Sequence, residues 1–296
     1  MAIASLPSGI ELFYDDRGEG EPLVLIMGIG CQYLYWREGL VDALTARGFR
    51  VIRFDHRDIG ESSRLDHLGV PPILPTVFSG LLGVNVVGPY ALEDMARDVV
   101  ELMDHLGLAS AHVAGASMGG MVAQTLAFTH PHRVRSLVSI MSTTGEPRRY
   151  IHEPRAIRAI LGAPPRSREE AMDRGVEVWR TIGSTGFTFD EAAMRELSGR
   201  AYDRGNHTPG FLRHLGAIAT TGDRTARLRF VRAPTLVVHG TVDPLIRPLG
   251  GVLTHRAIAG SHLELVEGMG HNLPEALWPA LTGWITENAE RAAGAG

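Results

Sequence analysis

Short apolar runs alternate with stretches of helical periodicity along most of the 296-residue chain, and that alternation fixes the fold class before any motif is considered. Pro22–Met27 is wholly apolar, and Arg50–Phe54, Ala111–Ala114, Val134–Met141, Pro234–His239 and His262–Val266 have strand length and β-branched or apolar content. Between them, Leu34–Ala46 and Met118–Phe128 read as helices. So does Leu92–Leu106, whose apolar residues Leu92, Met95, Val99, Leu102, Met103 and Leu106 keep helical spacing. A Pro-Ser-Gly turn joins Ala2–Ser5 to Ile10–Tyr14 as a first hairpin, and a final helix is expected from Glu275 to Ala289. Repeated β and α elements imply an α/β protein with a mostly parallel, eight-stranded sheet flanked by helices. Ligands of such sheets bind beyond the carboxyl ends of the strands.

The alternation stops between Thr144 and about Phe230. That stretch is Arg-rich and irregular, with helical patches at Arg155–Leu161, Arg168–Ile182 and Asp190–Tyr202 but no buried strand. It reads as a helical cap, residues 144–230, inserted after the sixth strand of a core formed by residues 1–143 and 231–296. The cap supplies Trp179, Ile182, Phe187, Phe189, Tyr202, Phe211 and Leu215, which together predict an apolar pocket. A second apolar stretch, Val70–Leu92, is broken by Pro71, Pro72, Pro75, Gly80, Gly83, Gly88 and Pro89, so it is no membrane span, and its part Val70–Tyr90 is expected to form a lip over the pocket.

With 44% hydrophobic and 21% charged residues the chain can bury a large core unaided. Its net charge of -4, without runs of like charge, offers nothing for nucleic acid or an anionic membrane surface. The single cysteine, Cys31, excludes an internal disulfide and a cysteine metal cluster. The first residues lack a basic segment followed by a long apolar one, so a cytoplasmic location is expected.

Gly115-Ala116-Ser117-Met118-Gly119 is a Gly-x-Ser-x-Gly pentapeptide. In a chain with 35 glycines the pattern alone is weak, but here it lies between an apolar strand and a helical run. That is the setting of a nucleophile elbow, in which small residues allow a strained turn that lifts the serine above the sheet. A serine needs a base to take its proton and a carboxylate to orient the base. Asp243 and His271 follow the last two strands in Gly-rich turns, in the order serine, acid, histidine. Of the other histidines, His112 and His262 open strands, His239 ends one, and His130, His132, His152, His207 and His214 lie on helix ends or in the cap, while no acid follows Val134–Met141 before Glu146. Acyl transfer also needs donors for an oxyanion, expected from the backbone N–H groups of Met118, after the nucleophile, and Ile29, or a neighbouring amide, in the turn Met27-Gly28-Ile29-Gly30.

Competing patterns fail. Gly28-Ile29-Gly30 lacks the third glycine of a dinucleotide fingerprint, His56-Arg57-Asp58 stands without a glycine-rich phosphate loop, and no His-Glu-x-x-His spacing occurs. No cofactor and no metal are expected.

Together these segments resemble the α/β-hydrolase superfamily over almost the whole chain. Asp55-His56-Arg57-Asp58-Ile59-Gly60-Glu61-Ser62 is similar to the Asp-x-Arg-x-x-Gly-x-Ser stretch after the fourth strand of that family, and Val231–Gly240 is similar to the approach to its acid turn. Leu25-Ile26-Met27-Gly28, the Asp-His-Arg-Asp stretch and Gly268-Met269-Gly270-His271 resemble aclacinomycin methylesterase and related bacterial carboxylesterases. Asp55 and Arg57 read as braces of their loop. The expectation is a serine hydrolase cleaving a small to medium carboxylic ester with an apolar acyl or alcohol part. The same machinery serves carbon–carbon bond hydrolases and perhydrolases, and the fold also builds ligand receptors without catalysis.

Overall fold

The computed structural model describes residues 1–72, 87–146 and 152–294. Eight strands form one sheet: β1 (Ala2–Ser5), β2 (Glu11–Arg17), β3 (Glu21–Ile26), β4 (Phe49–Phe54), β5 (Ala111–Ala116), β6 (Val134–Ile140), β7 (Thr235–Gly240) and β8 (His262–Val266). Their spatial order is β1-β2-β4-β3-β5-β6-β7-β8. β2 pairs antiparallel with both β1 and β4, and every later pairing is parallel. The mostly parallel, eight-stranded arrangement agrees with the sequence expectation.

The apolar runs are explained by coverage of both faces. Along β3, Leu23 and Leu25 enter one cluster with Leu40, Val41 and Leu44 of α1 (Glu38–Thr45) and Leu281 and Ile285 of α10 (Trp278–Ala293). The alternate residues Val24 and Ile26 face the opposite cluster, with Met95, Val99 and Met103 of α2 (Leu92–His105) and Val122 and Leu126 of α3 (Met118–Thr129). Period-two alternation thus survives, but both sides are apolar. The expected helix at Leu34–Ala46 is shorter: a single 3-10 turn covers Tyr33–Tyr35 and α1 begins at Glu38.

Between β6 and β7 lie α4 (Pro154–Ile160), α5 (Arg168–Ile182), α6 (Glu191–Arg204), α7 (Thr208–Thr221) and α8 (Thr225–Leu228). Ser167 Oγ accepts from Glu170 N and Asp190 Oδ1 from Ala193 N, so two of these helices start on side-chain caps. Helix α7 was not marked by the sequence pattern, nor was α9 (Leu249–Ala257) after β7. Residues 73–86 of the apolar stretch expected to form a lip lie outside the described residues. Among the described residues no helix is long and apolar enough to cross a membrane.

Candidate active site

Ser117 sits where β5 becomes α3, with φ 56° and ψ -121°. A non-glycine residue in that region costs about 1–3 kcal/mol and persists only where its surroundings hold it. Here the Ser117 N–H donates to Ile140 O at 2.9 Å, and Ser142 Oγ donates to Ser117 O at 2.8 Å. The glycines are steric necessities. A Cβ at Gly115 would stand 2.2 Å from Gly119 O, and one at Gly119 would stand 2.0 Å from Ile26 O.

His271 follows β8. Its ring spans the two other side chains: Nδ1 donates to Asp243 Oδ2 at 2.6 Å, and Nε2 lies 2.9 Å from Ser117 Oγ, where it accepts the hydroxyl proton. Asp243 is 2% exposed, and its second oxygen accepts the N–H groups of Leu245 and Ile246, each at 2.9 Å. Both carboxylate oxygens are therefore engaged, and the one facing His271 fixes the imidazole tautomer that leaves Nε2 open toward the serine. His239 closes the acid turn by donating from Nε2 to Ile246 O at 2.7 Å. Burial lowers its pKa, so it stays neutral beside Asp243.

The turn after β3 lies against the serine: a Cβ at Gly28 would stand 3.2 Å from Ser117 Cβ. The N–H groups of Ile29 and Met118 donate to no other group among the described residues. A partly open pocket of about 430 Å³ lies above Ser117 and His271, lined by Met27, Ile29, Tyr35, Met141, Leu245 and residues of the inserted helices. Of the apolar residues singled out in the sequence, Trp179, Ile182, Tyr202 and Phe211 line it, whereas Phe187, Phe189 and Leu215 do not. Cys31 also lines the space, but burial pushes its thiol up to about 12, which leaves it protonated. Among the described residues no group of three His, Cys, Asp or Glu side chains is placed to hold a metal ion.

Asp55 and Arg57 brace their loop, as read from the sequence. Asp55 Oδ1 accepts from Tyr33 N at 2.8 Å, and Arg57 makes a two-pronged pair with Asp98, each bond 2.6 Å. Other supports carried no sequence signal. The Ile182 carbonyl at the end of α5 accepts the His271 N–H at 2.7 Å, and Ser184 Oγ accepts from Gly270 N at 2.9 Å. Asn272 Oδ1 accepts both the N–H and the hydroxyl of Ser184, at 2.8 and 2.6 Å. The segment between α5 and α6 is thus laced to the loop that carries His271.

A family model described as alpha/beta hydrolase fold matches residues 21–275. Rhodomycin D methylesterase DnrP of Streptomyces peucetius is 28% identical over 296 residues, covering 92% of this chain and 91% of the relative. The 2-hydroxy-6-oxononadienedioate/2-hydroxy-6-oxononatrienedioate hydrolase of Paraburkholderia xenovorans is 28% identical over 272 residues, covering 88% and 84%. Among solved structures, the enol-lactonase of Burkholderia xenovorans LB400 superposes with a TM-score of 0.73 at 24% identity, over 97% of this chain and 99% of that one.

Proposed function

Because the chain belongs to the α/β-hydrolase fold family and is an esterase-type hydrolase, we propose that it cleaves a carboxylic ester of small to medium size through an acyl-enzyme formed on Ser117. The observation that carries this reading is the unbroken chain of hydrogen bonds from Asp243 through His271 to Ser117 at the floor of an apolar pocket.

In this mechanism Ser117 Oγ attacks the ester carbonyl while His271 Nε2 takes its proton. Asp243, already hydrogen-bonded to Nδ1, stabilises the imidazolium that forms. The carbonyl oxygen gains negative charge and is held by the Ile29 and Met118 N–H groups; preorganised donors of this kind are commonly worth about 2.7–4 kcal/mol each in the transition state. Collapse expels the alcohol, which receives the proton from His271. A water, deprotonated by His271, then attacks the acyl carbon, and Ser117 leaves with the proton returned. In this reading residues 1–143 and 231–296 supply the chemistry, and residues 144–230 form the cap that shapes the apolar acyl or alcohol pocket.

The test is fluorophosphonate labelling with the modified peptide identified by mass spectrometry, run beside hydrolysis of p-nitrophenyl esters of increasing chain length. Label is expected on Ser117, and Ser117→Ala should lose turnover by roughly 10⁵–10⁶ while remaining folded. Label on another residue, or turnover surviving in Ser117→Ala, would sink the mechanism. The Paraburkholderia relative favours one second reading, carbon–carbon bond hydrolysis by the same three side chains. It predicts silence on every ester and turnover of a 2-hydroxy-6-oxo-dienoate.

A further inference from the structure

The turn that carries Ile29 is gripped from both sides by histidines that touch no reacting atom. His56 Nε2, at the end of β4, donates to Met27 O at 2.9 Å. His214, on α7 of the inserted segment, donates from Nε2 to Arg57 O at 2.9 Å, and its Nδ1 lies 3.4 Å from Gly30 N, whose N–H it accepts. These two bonds require one and the same neutral tautomer, with the proton on Nε2. The rings of His56 and His214 meet edge-on with centroids 5.6 Å apart, and His214 is fully buried. Burial lowers its pKa to about 4, which keeps Nδ1 free to accept. One helical turn earlier on α7, Phe211 presses on the same place: a Cβ at Gly30 would stand 2.6 Å from Phe211 Cδ2.

Three consecutive peptide groups are therefore tied. The Met27–Gly28 carbonyl is held by His56, the Gly28–Ile29 carbonyl accepts from Cys31 N at 3.2 Å, and the Ile29–Gly30 N–H is held by His214. A trans peptide is planar, so fixing the Gly28 carbonyl on one side fixes the Ile29 N–H on the other. Glycine on each side of Ile29 would otherwise let that peptide rotate at little cost. The geometry points to His214 as a positioning residue that holds the Ile29 N–H in its oxyanion-binding orientation, so that a helix of the inserted segment completes the catalytic machinery of the sheet. This inference rests on the ester-hydrolase reading above.

Three variants separate the two bonds of the ring. His214→Asn keeps an acceptor near the Nδ1 position, His214→Gln keeps a donor near the Nε2 position, and His214→Leu keeps neither. Each is measured for kcat, KM, inhibition by a trifluoromethyl ketone, which forms an oxyanion on Ser117, and inhibition by a neutral alcohol of matching chain length, which does not. His214→Leu and His214→Gln should lose kcat and ketone affinity in parallel, by about 10- to 100-fold, with alcohol inhibition unchanged. His214→Asn should stay within about threefold of the parent. If His214→Leu does not fold, the contrast between Asn and Gln decides alone. Ketone affinity retained in the Gln variant overturns the proposal, and so does a fall in ketone and alcohol affinity together, which marks simple packing. A parent protein that hydrolyses esters with unaffected variants sinks this inference alone, whereas a parent that neither hydrolyses esters nor binds the ketone sinks the underlying reading with it.

Discussion

The sheet and the helices inserted between β6 and β7 are held together by different physics. Strands β5 and β7 are buried along their whole length, and the sheet is flanked by two continuous apolar clusters. The inserted helices bury little by comparison and lean on ion pairs. Arg195 reaches Glu169 and Asp173, Arg168 reaches Asp203, and Arg180 reaches Glu191, all between α5 and α6 and all substantially exposed. Exposed pairs of this kind contribute about 0–1 kcal/mol each. Two ion pairs that reach the sheet are of another kind: Arg204 of α6 meets the buried Asp55, and the second is deeper still. Arg213 of α7 forms a two-pronged pair with Asp58, bonds of 2.9 and 2.6 Å, and both side chains are fully shielded from solvent. Asp58 holds φ 72°, so the backbone that presents it is itself strained into place. The difference teaches that the inserted segment is fastened to the sheet at a few buried polar points, and that those points lie beside the proposed chemistry.

Breaking the Arg213–Asp58 anchor should therefore have the largest effect on stability. Arg213→Met leaves the Asp58 carboxylate buried without its cation and is expected to cost about 3–5 kcal/mol, read as a lower urea midpoint at unchanged slope. Breaking Arg168–Asp203 by Arg168→Ala serves as the control and should move the midpoint by less than about 1 kcal/mol. Equal effects would show that the two regions are not fastened differently.

Acid sharpens the comparison next. His56 and His214 are held near pKa 3 and 4 by burial, against an ordinary 6.5, and His112 on β5 is held near 4 for the same reason. A depressed histidine pKa means that the unfolded chain binds more protons, so stability is complete above pH 6.5 and falls as pH drops toward the folded values. Each histidine costs about 1.4 kcal/mol per pH unit over that window, roughly 2 kcal/mol by pH 5. The urea midpoint should thus fall between pH 7 and pH 5, and His214→Asn should remove about one histidine's share of the fall. A midpoint that is flat over this range would contradict the burial of these rings.

How far the sequence foretold this arrangement follows the same division. Strands buried on both faces leave short runs of apolar and β-branched residues, so β3, β5, β6 and β7 were readable, and the Gly-rich turns after β5, β7 and β8 hold Ser117, Asp243 and His271, which the fold brings into one hydrogen-bonded chain. Helix α7 was missed because Thr208-Pro209-Gly210 opens it, Gly216 interrupts it, and its inward face carries Arg213 and His214 instead of aliphatic residues. A polar residue facing inward has no periodic signature. The supports from Ile182 and Ser184 were illegible for a related reason: a backbone carbonyl and a serine in a connecting segment look the same whether they meet solvent or the His271 loop.

Ser184 gives the smallest and most discriminating effect. Ser184→Ala removes the acceptor of the Gly270 N–H, immediately before His271, and the hydroxyl donor to Asn272 Oδ1. It leaves the Ser184 N–H bond to Asn272, the His271 bond to Ile182 and the two N–H groups of Thr185 and Gly186 that converge on Gly268 O. The loop should stay in place but lose its tightest local restraint, a change of about 1 kcal/mol. If that restraint aims the imidazole, kcat should fall about fivefold with KM unaltered, and Ser184→Thr, which restores the hydroxyl, should recover it. A rise in KM at constant kcat would instead make the strap a wall of the pocket, and would leave the Ile182 carbonyl as the inserted segment's hold on the His271 side.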